Sequence, residues 1–178
     1  EKALKKLDTM QINVGYPEDV QSYMDDVEIK SAADGGSYFE NMLAISKEQA
    51  KNLIEHQDEP IDKNDWGMAV YTVNAMYDSL ANSITFPAGI LQAPIYDVKA
   101  SYEENLGGIG YIIAHEITHA FDNNGAKFDE NGNATDWWTE EDYSAFSKLC
   151  KDVEAFYDGE EAAPGIAVNG ELTVSENI

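Results

Sequence analysis

Apolar residues recur at helical spacing in three segments of the chain. Between Ser37 and His56 they fall mostly three or four positions apart, and neither Pro nor Gly interrupts them. Between Gly107 and Phe121 they point to nearly every side, which is typical of a helix buried in a larger core. Thr139, followed by three acidic residues, predicts the capped start of a third helix that runs to about Tyr157. We expect the second helix to be central to the fold.

Three shorter runs have the composition of β-strands. The first is Met10–Val14, and the other two, Ala69–Ala75 and Ser83–Phe86, are close enough in sequence to pair as a hairpin that ends at Pro87. Segments without a clear period complete the chain: the unassigned Pro17–Lys30, the loop Asp122–Asp136 and the connector Gly159–Gly170. The pattern therefore predicts an α+β fold that is mainly helical.

The last residues of the chain have the character of a helix start. Ser175 resembles an N-cap and is followed by the carboxylate of Glu176. We therefore expect a helix to begin at Glu176, and we expect the chain to be a piece of a longer polypeptide that is truncated at its C-terminus.

Composition narrows the classes of function. The chain has 178 residues, 43% of them hydrophobic, with 11 Lys+Arg against 34 Asp+Glu and a net charge of −23. This charge repels nucleic acid and anionic lipid, so we expect no nucleic-acid partner and no membrane contact by this segment. The single cysteine, Cys150, forms no disulfide within the chain and is most simply a buried small residue.

The motif that carries chemistry is His115-Glu116-Ile117-Thr118-His119. Histidines at i and i+4 lie one above the other on a helix face, so both imidazoles can reach one Zn²⁺ at about 2.0–2.1 Å. Glu116, next to the first histidine, can act on a water at the metal. A glutamate on an otherwise apolar helix is costly to bury without a partner, and a divalent cation supplies one.

A catalytic zinc takes a third protein ligand. His56 is more simply a solvated residue at a helix end. Position alone does not choose among the downstream carboxylates of Asp122, Asp129, Asp136, Glu140, Glu141, Glu171 and Glu176. Asp122 lies seven residues after His115, two helical turns along the same face, which suits an acceptor for the other N–H of that imidazole.

A rival hypothesis is a non-catalytic acidic module that binds a metal or a partner. Asp129, Asn131, Asn133 and Glu140 fall at positions one, three, five and twelve of a calcium loop. Position six is Ala134, where such loops require Gly, and this weakens the calcium interpretation.

Five motifs, in order along the chain, resemble the neprilysin family of zinc metallopeptidases. They are Val73-Asn74-Ala75-Met76-Tyr77, Phe86-Pro87-Ala88-Gly89-Ile90-Leu91-Gln92, Gly107-Gly108-Ile109-Gly110 leading into His115–Asp122, Trp137-Trp138-Thr139, and Ser175-Glu176-Asn177-Ile178. The resemblance implies a thermolysin-like (gluzincin) catalytic domain with a small sheet. Residues 1–178 would be part of it, with the zinc helix at about 105–121, the substrate strand at about 69–86 and the third-ligand helix beginning at 176.

The same resemblance implies roles for individual residues. Glu176 would be the third ligand to one Zn²⁺ per chain, with His115 and His119, and Glu116 the general base. Asp122 would support a ligating histidine. For the peptide substrate, Asn74 and Ala75 would hold the backbone by strand addition, and Ile95 and Ile112 would line the pocket for an apolar side chain.

The family also has parts that lie outside this sequence. Past its Glu-Asn-Ile it carries an Asp that supports the second histidine, a transition-state His and a substrate-binding Arg. We therefore expect a covering helical domain and a C-terminal remainder of the same polypeptide as partners, and a chain that is inactive alone. Family members are often membrane-anchored or secreted with the catalytic part outside, and others look soluble, so a cytoplasmic location is the alternative.

Overall fold

The computed structural model describes residues 1–18 and 23–177. The chain forms two compact units, one made of Glu1–Pro17 with Lys63–Ile178 and the other of Glu18–Asp62. Within the described residues, no helix is both long enough and apolar enough to cross a membrane.

A three-stranded sheet lies at the centre of the larger unit. Its strands are β1 (Gln11–Gly15), β2 (Met76–Asp78) and β3 (Ser83–Pro87), in the order β1-β3-β2. β3 pairs in parallel with β1 and antiparallel with β2, and all five of its residues are buried. Its apolar side chains form the core with neighbouring segments: Ala75, Ile84, Phe86, Ile90 and Ile109. Because β3 has a neighbouring strand on each side, its backbone N–H and C=O groups have hydrogen-bond partners within the sheet. The strand can therefore be buried without leaving polar backbone groups unpaired.

The predicted hairpin exists, but its first strand lies later than predicted. Residues 69–75 form turns and irregular backbone, and the strand that pairs with β3 is Met76–Asp78. Asn74 and Ala75 therefore come directly before the edge strand instead of within it. The β-branched composition of 69–75 indicated a strand, but tertiary packing decides which residues pair. The Met10–Val14 prediction is confirmed within one residue by β1.

The helix that carries the histidines is assembled from three consecutive pieces. Helix α3 (Tyr102–Asn105), capped by Ser101, leads into a π-helical turn at Leu106–Gly110 and then into α4 (Tyr111–His119). The prediction that this helix is buried on nearly every side is wrong within the described residues. Glu116 and Ile109 are buried beside the sheet, whereas Tyr111 is 62% exposed.

The larger unit contains several further elements. They are helix α1 (Lys2–Asp8), a 3₁₀ turn at Ala88–Ile90, another at Gly125–Lys127, helix α5 (Glu140–Tyr157), strands β4 (Glu161–Ala163) and β5 (Ile166–Ala167), and helix α6 (Gly170–Thr173). Thr139 caps α5 by accepting the backbone N–H of Asp142, as predicted. The predicted connector at 159–170 holds the β4–β5 hairpin.

The second unit consists mainly of one helix. Helix α2 (Tyr38–Glu55) begins at Ser37, which forms a reciprocal capping box with Glu40, and confirms the predicted helix. Two 3₁₀ turns, Tyr23–Asp26 and Ala32–Asp34, precede it. The unassigned stretch Pro17–Lys30 lies partly outside the described residues.

A short helix that the sequence did not predict lies just before the predicted third-ligand helix. Asn169 accepts the backbone N–H of Leu172 and caps α6, whose residues precede the predicted start. Glu176 lies in the turn that follows, where its N–H donates to the Thr173 carbonyl. A helix that began at Glu176 would continue past the described residues, so that part stays a prediction.

Candidate metal centre

The two histidines of the motif converge on one point. Their spacing places both side chains on the same face of α4, with the ring centroids 4.4 Å apart and the ring planes nearly perpendicular. The two Nε2 atoms lie 2.9 Å from each other. Two neutral imidazoles compete for one proton at this distance, whereas a cation between them would accept both lone pairs.

Glu176 brings a carboxylate oxygen to the same point from a distant part of the chain. Its Oε2 lies 3.4 Å from Nε2 of His115 and 3.7 Å from Nε2 of His119. The side chain is 62% exposed, so its placement depends on the turn that follows α6. Asn177 steadies this turn, because its side-chain amide donates to the Thr173 hydroxyl at 2.8 Å.

These three atoms suit a zinc ion by chemistry and by distance. Two imidazole nitrogens and a carboxylate oxygen are the donors of many catalytic zinc sites. Atoms that bind one zinc tetrahedrally at about 2.0–2.1 Å lie about 3.4 Å apart, which is close to the two separations from Glu176 and longer than the 2.9 Å between the two Nε2 atoms. The three atoms are therefore candidate ligands for one metal ion.

Asp122 orients the second histidine of the pair. Its Oδ2 accepts a hydrogen bond from Nδ1 of His119 at 2.9 Å, and its Oδ1 accepts the backbone N–H groups of Asn124 and Gly125, both at 2.7 Å. The spacing argument, which paired Asp122 with His115, is wrong. Helix α4 ends at His119 and the chain turns, so residue 122 does not continue the face that carries His115.

Glu116 is a buried carboxylate beside the two histidines. It is 5% exposed, and its carboxylate oxygen lies within 4.8 Å of both histidine ligand atoms. Burial raises the pKa of Glu116, and the charge of Glu176 adds to the rise. His119, His115 and the backbone N–H of Tyr77 favour the ionised form and lower that pKa in part. A carboxylate with a raised pKa is suited to take and return a proton.

A polar cleft of about 360 Å³ opens at this cluster. Its walls come from the segment around β2, from α4 and the turn after it, and from the end of the chain: Asn74, Ala75, Met76, Tyr77, Ser79, His115, Glu116, His119, Asp122, Asn124, Gly125, Ser175 and Glu176. The structure thus brings together seven of the nine predicted site residues. Ile95 and Ile112 are packed against the core instead, and their role in a substrate pocket stays a prediction.

The other candidates lie elsewhere or have other partners. His56 is the exposed C-cap of α2, as the solvated interpretation predicts. The carboxylate of Asp129 accepts the backbone N–H groups of Asn131 and Asn133, which closes its own turn. Within the described residues, the Asp129 loop contributes no side chain to a cluster of close His, Cys, Asp or Glu ligand atoms.

Sequence reasoning missed two residues that contact this site. Tyr77 donates its backbone N–H to Glu116, and its hydroxyl donates to Oδ1 of Asn82 at 3.0 Å. Lys6 is buried below the turn that carries Asp122. Tyr77 lies in a motif shared with the neprilysin family, which was a usable signal. Lys6 stands in a charged helix that had no such signal.

Known proteins resemble this chain over its whole length. Residues 74–178 match the model of Peptidase family M13. The chain is 44% identical over its whole length to the neutral endopeptidase of Lactococcus lactis subsp. cremoris and spans 28% of that protein. The chain therefore covers under a third of the length of this relative.

Solved structures give the same result. The crystal structure of PepO from Lactobacillus rhamnosis is 46% identical and superimposes with a TM-score of 0.84, covering 99% of this chain and 27% of that one. The zinc metalloprotease Zmp1 of Mycobacterium tuberculosis, solved with an inhibitor, is 35% identical with a TM-score of 0.87, covering 98% and 27%. With a family model matched over more than half of its residues, the chain belongs to peptidase family M13, the neprilysin family.

Proposed function

We propose that this chain is part of a zinc-dependent endopeptidase that hydrolyses bonds within peptides or small proteins. The observation that carries the proposal is the convergence of Nε2 of His115, Nε2 of His119 and Oε2 of Glu176 next to the buried carboxylate of Glu116. These are the donors of one zinc ion and the base that peptide hydrolysis requires.

His115, His119 and Glu176 would hold the metal, and a bound zinc supplies a Lewis acid for the scissile carbonyl. Glu116 is the general base: its carboxylate takes a proton from the attacking water and delivers it to the nitrogen of the leaving amine. Burial and the Tyr77 N–H keep this carboxylate aimed into the cleft. Asp122 keeps the proton of His119 on Nδ1, so that Nε2 presents its lone pair to the metal.

The peptide would bind along the outer edge of the sheet. β2 is an edge strand, and the exposed Asn74 and buried Ala75 stand immediately before it on the wall of the cleft. An extended peptide can use backbone and side-chain polar groups there, with its scissile carbonyl turned toward the histidines. Ile95 and Ile112 remain our candidates for an apolar substrate pocket.

We further propose that the 178-residue chain is inactive, or nearly so, by itself. Among the described residues that line the cleft, none is Lys or Arg, and His115 and His119 are committed to the metal. A donor for the developing oxyanion would come from elsewhere in the polypeptide, and one such donor is worth about 10²- to 10³-fold in kcat. We place the covering domain and the remaining site residues in that part.

Metal content tests the site directly. The purified chain, dialysed exhaustively, should retain about one zinc per molecule by elemental analysis, and His119→Ala should lose it. His56→Ala is the matched control, because that histidine is exposed in the other unit, and it should retain the metal. Absence of zinc from the wild-type chain under conditions where circular dichroism shows it folded would contradict the proposal.

Glu116→Gln separates a peptidase from a non-catalytic metal module. Gln has the size of Glu but cannot accept a proton from water, so metal should remain while peptide cleavage falls by at least about 10²-fold. The assay uses the longer polypeptide that contains this chain, with a quenched fluorescent peptide as the substrate. Absence of cleavage by the wild-type polypeptide would favour the module. Cleavage that survives Glu116→Gln but is lost in His119→Ala would contradict the role of Glu116 as the base.

A further inference from the structure

Lys6 places a charged group inside the fold, below the metal centre. The residue is 1% exposed, although it lies on the short helix α1 near the start of the chain. Its Nζ donates to three backbone carbonyls, those of Ala120 and Gly125 at 2.8 Å and that of Phe128 at 2.7 Å. An ammonium has three N–H donors, so all of them are used.

Each of these carbonyls belongs to the turn that holds Asp122. Ala120 directly follows the ligand His119, and its carbonyl is among those that the end of α4 leaves without a helical partner. Gly125 donates its N–H to Oδ1 of Asp122 while its own carbonyl accepts from Lys6. Lys6 therefore reaches both ends of the Asp122–His119 hydrogen bond through one intervening residue: Ala120 on the side of His119, and Gly125 on the side of Asp122.

The turn itself has little freedom to find another shape. A Cβ on Gly125 would lie 1.9 Å from the carbonyl oxygen of His119, so the backbone at Gly125 already packs directly against the backbone at His119. The Lys6 ammonium also lies 5.6–5.8 Å from the ring centres of Tyr77, Phe121 and Trp137, which fill the space around it. Such rings favour a cation over a neutral group.

Burying this charge costs free energy, which argues for a specific role. Burial lowers the pKa of Lys6 to about 8, even though the carboxylates of Asp122, Asp129 and Glu130 oppose that effect. An apolar side chain could fill the same space without the cost, but it could not join three carbonyls at one point.

We propose that Lys6 is a positioning residue of the metal centre: its ammonium joins the carbonyls of residues 120, 125 and 128 and thereby orients Asp122 and His119 for metal binding. The assignment rests on the metal site in the proposed function. It predicts that loss of the ammonium weakens zinc binding in a chain that is still folded.

The test measures zinc affinity by competition with a chromogenic chelator at pH 7. Lys6→Met removes the ammonium and keeps the length of the side chain, and we expect zinc to bind about tenfold more weakly, the lower end of the range for groups that support a ligand. Lys5→Met is the matched control. Lys5 lies on the same helix and pairs with Glu130, but it is exposed and contacts none of the three carbonyls. The zinc affinity of Lys5→Met should therefore equal that of the wild-type chain.

A double-mutant cycle distinguishes positioning from general support of the fold. If Lys6 acts through Asp122, Lys6→Met should cost clearly less than tenfold in an Asp122→Asn background, whereas an indirect effect of lower stability would add in full. Equal zinc affinity of Lys6→Met and wild type, or full additivity in the cycle, would overturn the proposal.

Two further outcomes are decisive. If Lys6→Met is unfolded at 25 °C, the series is repeated in about 1 M sucrose, which favours the compact state. A variant that stays unfolded there would identify Lys6 as required for the fold and overturn the specific role. A wild-type chain that is folded but binds no zinc would instead contradict the metal site itself, which separates that failure from the failure of this inference.

Discussion

Nδ1 of His119 donates to Oδ2 of Asp122 at 2.9 Å, and this hydrogen bond determines which nitrogen of the imidazole is free. With the proton held on Nδ1, the lone pair of Nε2 faces His115 and Glu176. The other oxygen of Asp122 is held by two backbone N–H groups. The carboxylate therefore cannot rotate away without losing three hydrogen bonds.

Replacement of this carboxylate should weaken the metal site. In Asp122→Asn, one oxygen acceptor becomes an NH₂ donor. In one orientation the NH₂ group faces the N–H of His119, and in the other it faces the backbone N–H groups of Asn124 and Gly125, so either way hydrogen bonds are lost. We expect zinc affinity to fall by about 10- to 100-fold, measured by chelator competition. Asp136→Asn, outside the cleft, is the control. An unchanged affinity in Asp122→Asn would show that the hydrogen bond does not support the ligand.

The position of Glu176 should depend on a glycine that lies close to α5. A Cβ on Gly170 would lie 2.0 Å from the carbonyl oxygen of Glu154, so Gly170→Ala must push α6 away from α5. We expect a loss of at least about 2 kcal/mol in the free energy of unfolding, together with weaker zinc binding. Urea denaturation and chelator competition measure the two effects.

Gly107→Ala provides the comparison for that experiment. A Cβ at Gly107 would meet no atom within 4 Å, and the residue lies in helical backbone. Alanine there should be neutral or stabilising by up to about 1 kcal/mol. Similar destabilisation by both substitutions would mean that the close approach of α6 to α5 is not what makes Gly170 necessary.

Asn82 should be among the residues most sensitive to truncation. It is fully buried with a φ of +48°, and its side chain donates to the Lys6 carbonyl at 2.9 Å and accepts from the Tyr77 hydroxyl at 3.0 Å. Asn82→Ala leaves the buried Lys6 carbonyl and the half-buried Tyr77 hydroxyl without these hydrogen bonds and keeps the unfavourable φ. We therefore expect the free energy of unfolding, measured in urea, to fall by about 2–4 kcal/mol. Asn131→Ala, at an exposed position, should change stability by less than about 0.5 kcal/mol.

Stability should depend on pH through Lys6. In the folded chain this lysine loses its proton at a pKa of about 8, whereas a lysine in the unfolded chain keeps it until about pH 10.4. Between these values the unfolded state binds more protons, so the free energy of unfolding should rise with pH in the wild-type chain. Lys6→Met should lack this rise, and the difference between the two curves from pH 7 to 10 measures it. A difference that stays constant with pH would contradict the lowered pKa.

The parts of the fold that follow local rules were predictable from sequence. Ser37 with Glu40 and Thr139 with Asp142 carry their own start signals, and both helices begin where these residues indicate. The histidine motif likewise specifies its geometry, because helical spacing alone brings His115 and His119 together. The resemblance to the neprilysin family supplied Glu176, since 57 positions separate it from His119 and no local rule joins them.

The errors came from features that only the folded chain determines. Helical periodicity in the sequence does not show that α4 ends at His119. The prediction continued the helix to Asp122 and therefore paired this residue with His115 instead of His119. Strand composition at 69–75 could not show that β3 would pair with the following residues. Lys6 has no signal in the sequence at all, because its burial depends on carbonyls more than 110 residues away.

The parallel pairing of β1 with β3 joins residues 11–15 to residues 83–87, while residues 18–62 form a separate unit between them. The covalent connection through residues 18–62 is thus not what holds β1 in its sheet. The hydrogen bonds between β1 and β3, and those of the buried Lys6 and Asn82, do so within the larger unit. We therefore expect the two polypeptides left by a proteolytic cut in the intervening unit to stay associated. The protein is, in this sense, arranged like a split protein: the proposed metal ligands all lie in the second part, and the first part supplies β1 and Lys6.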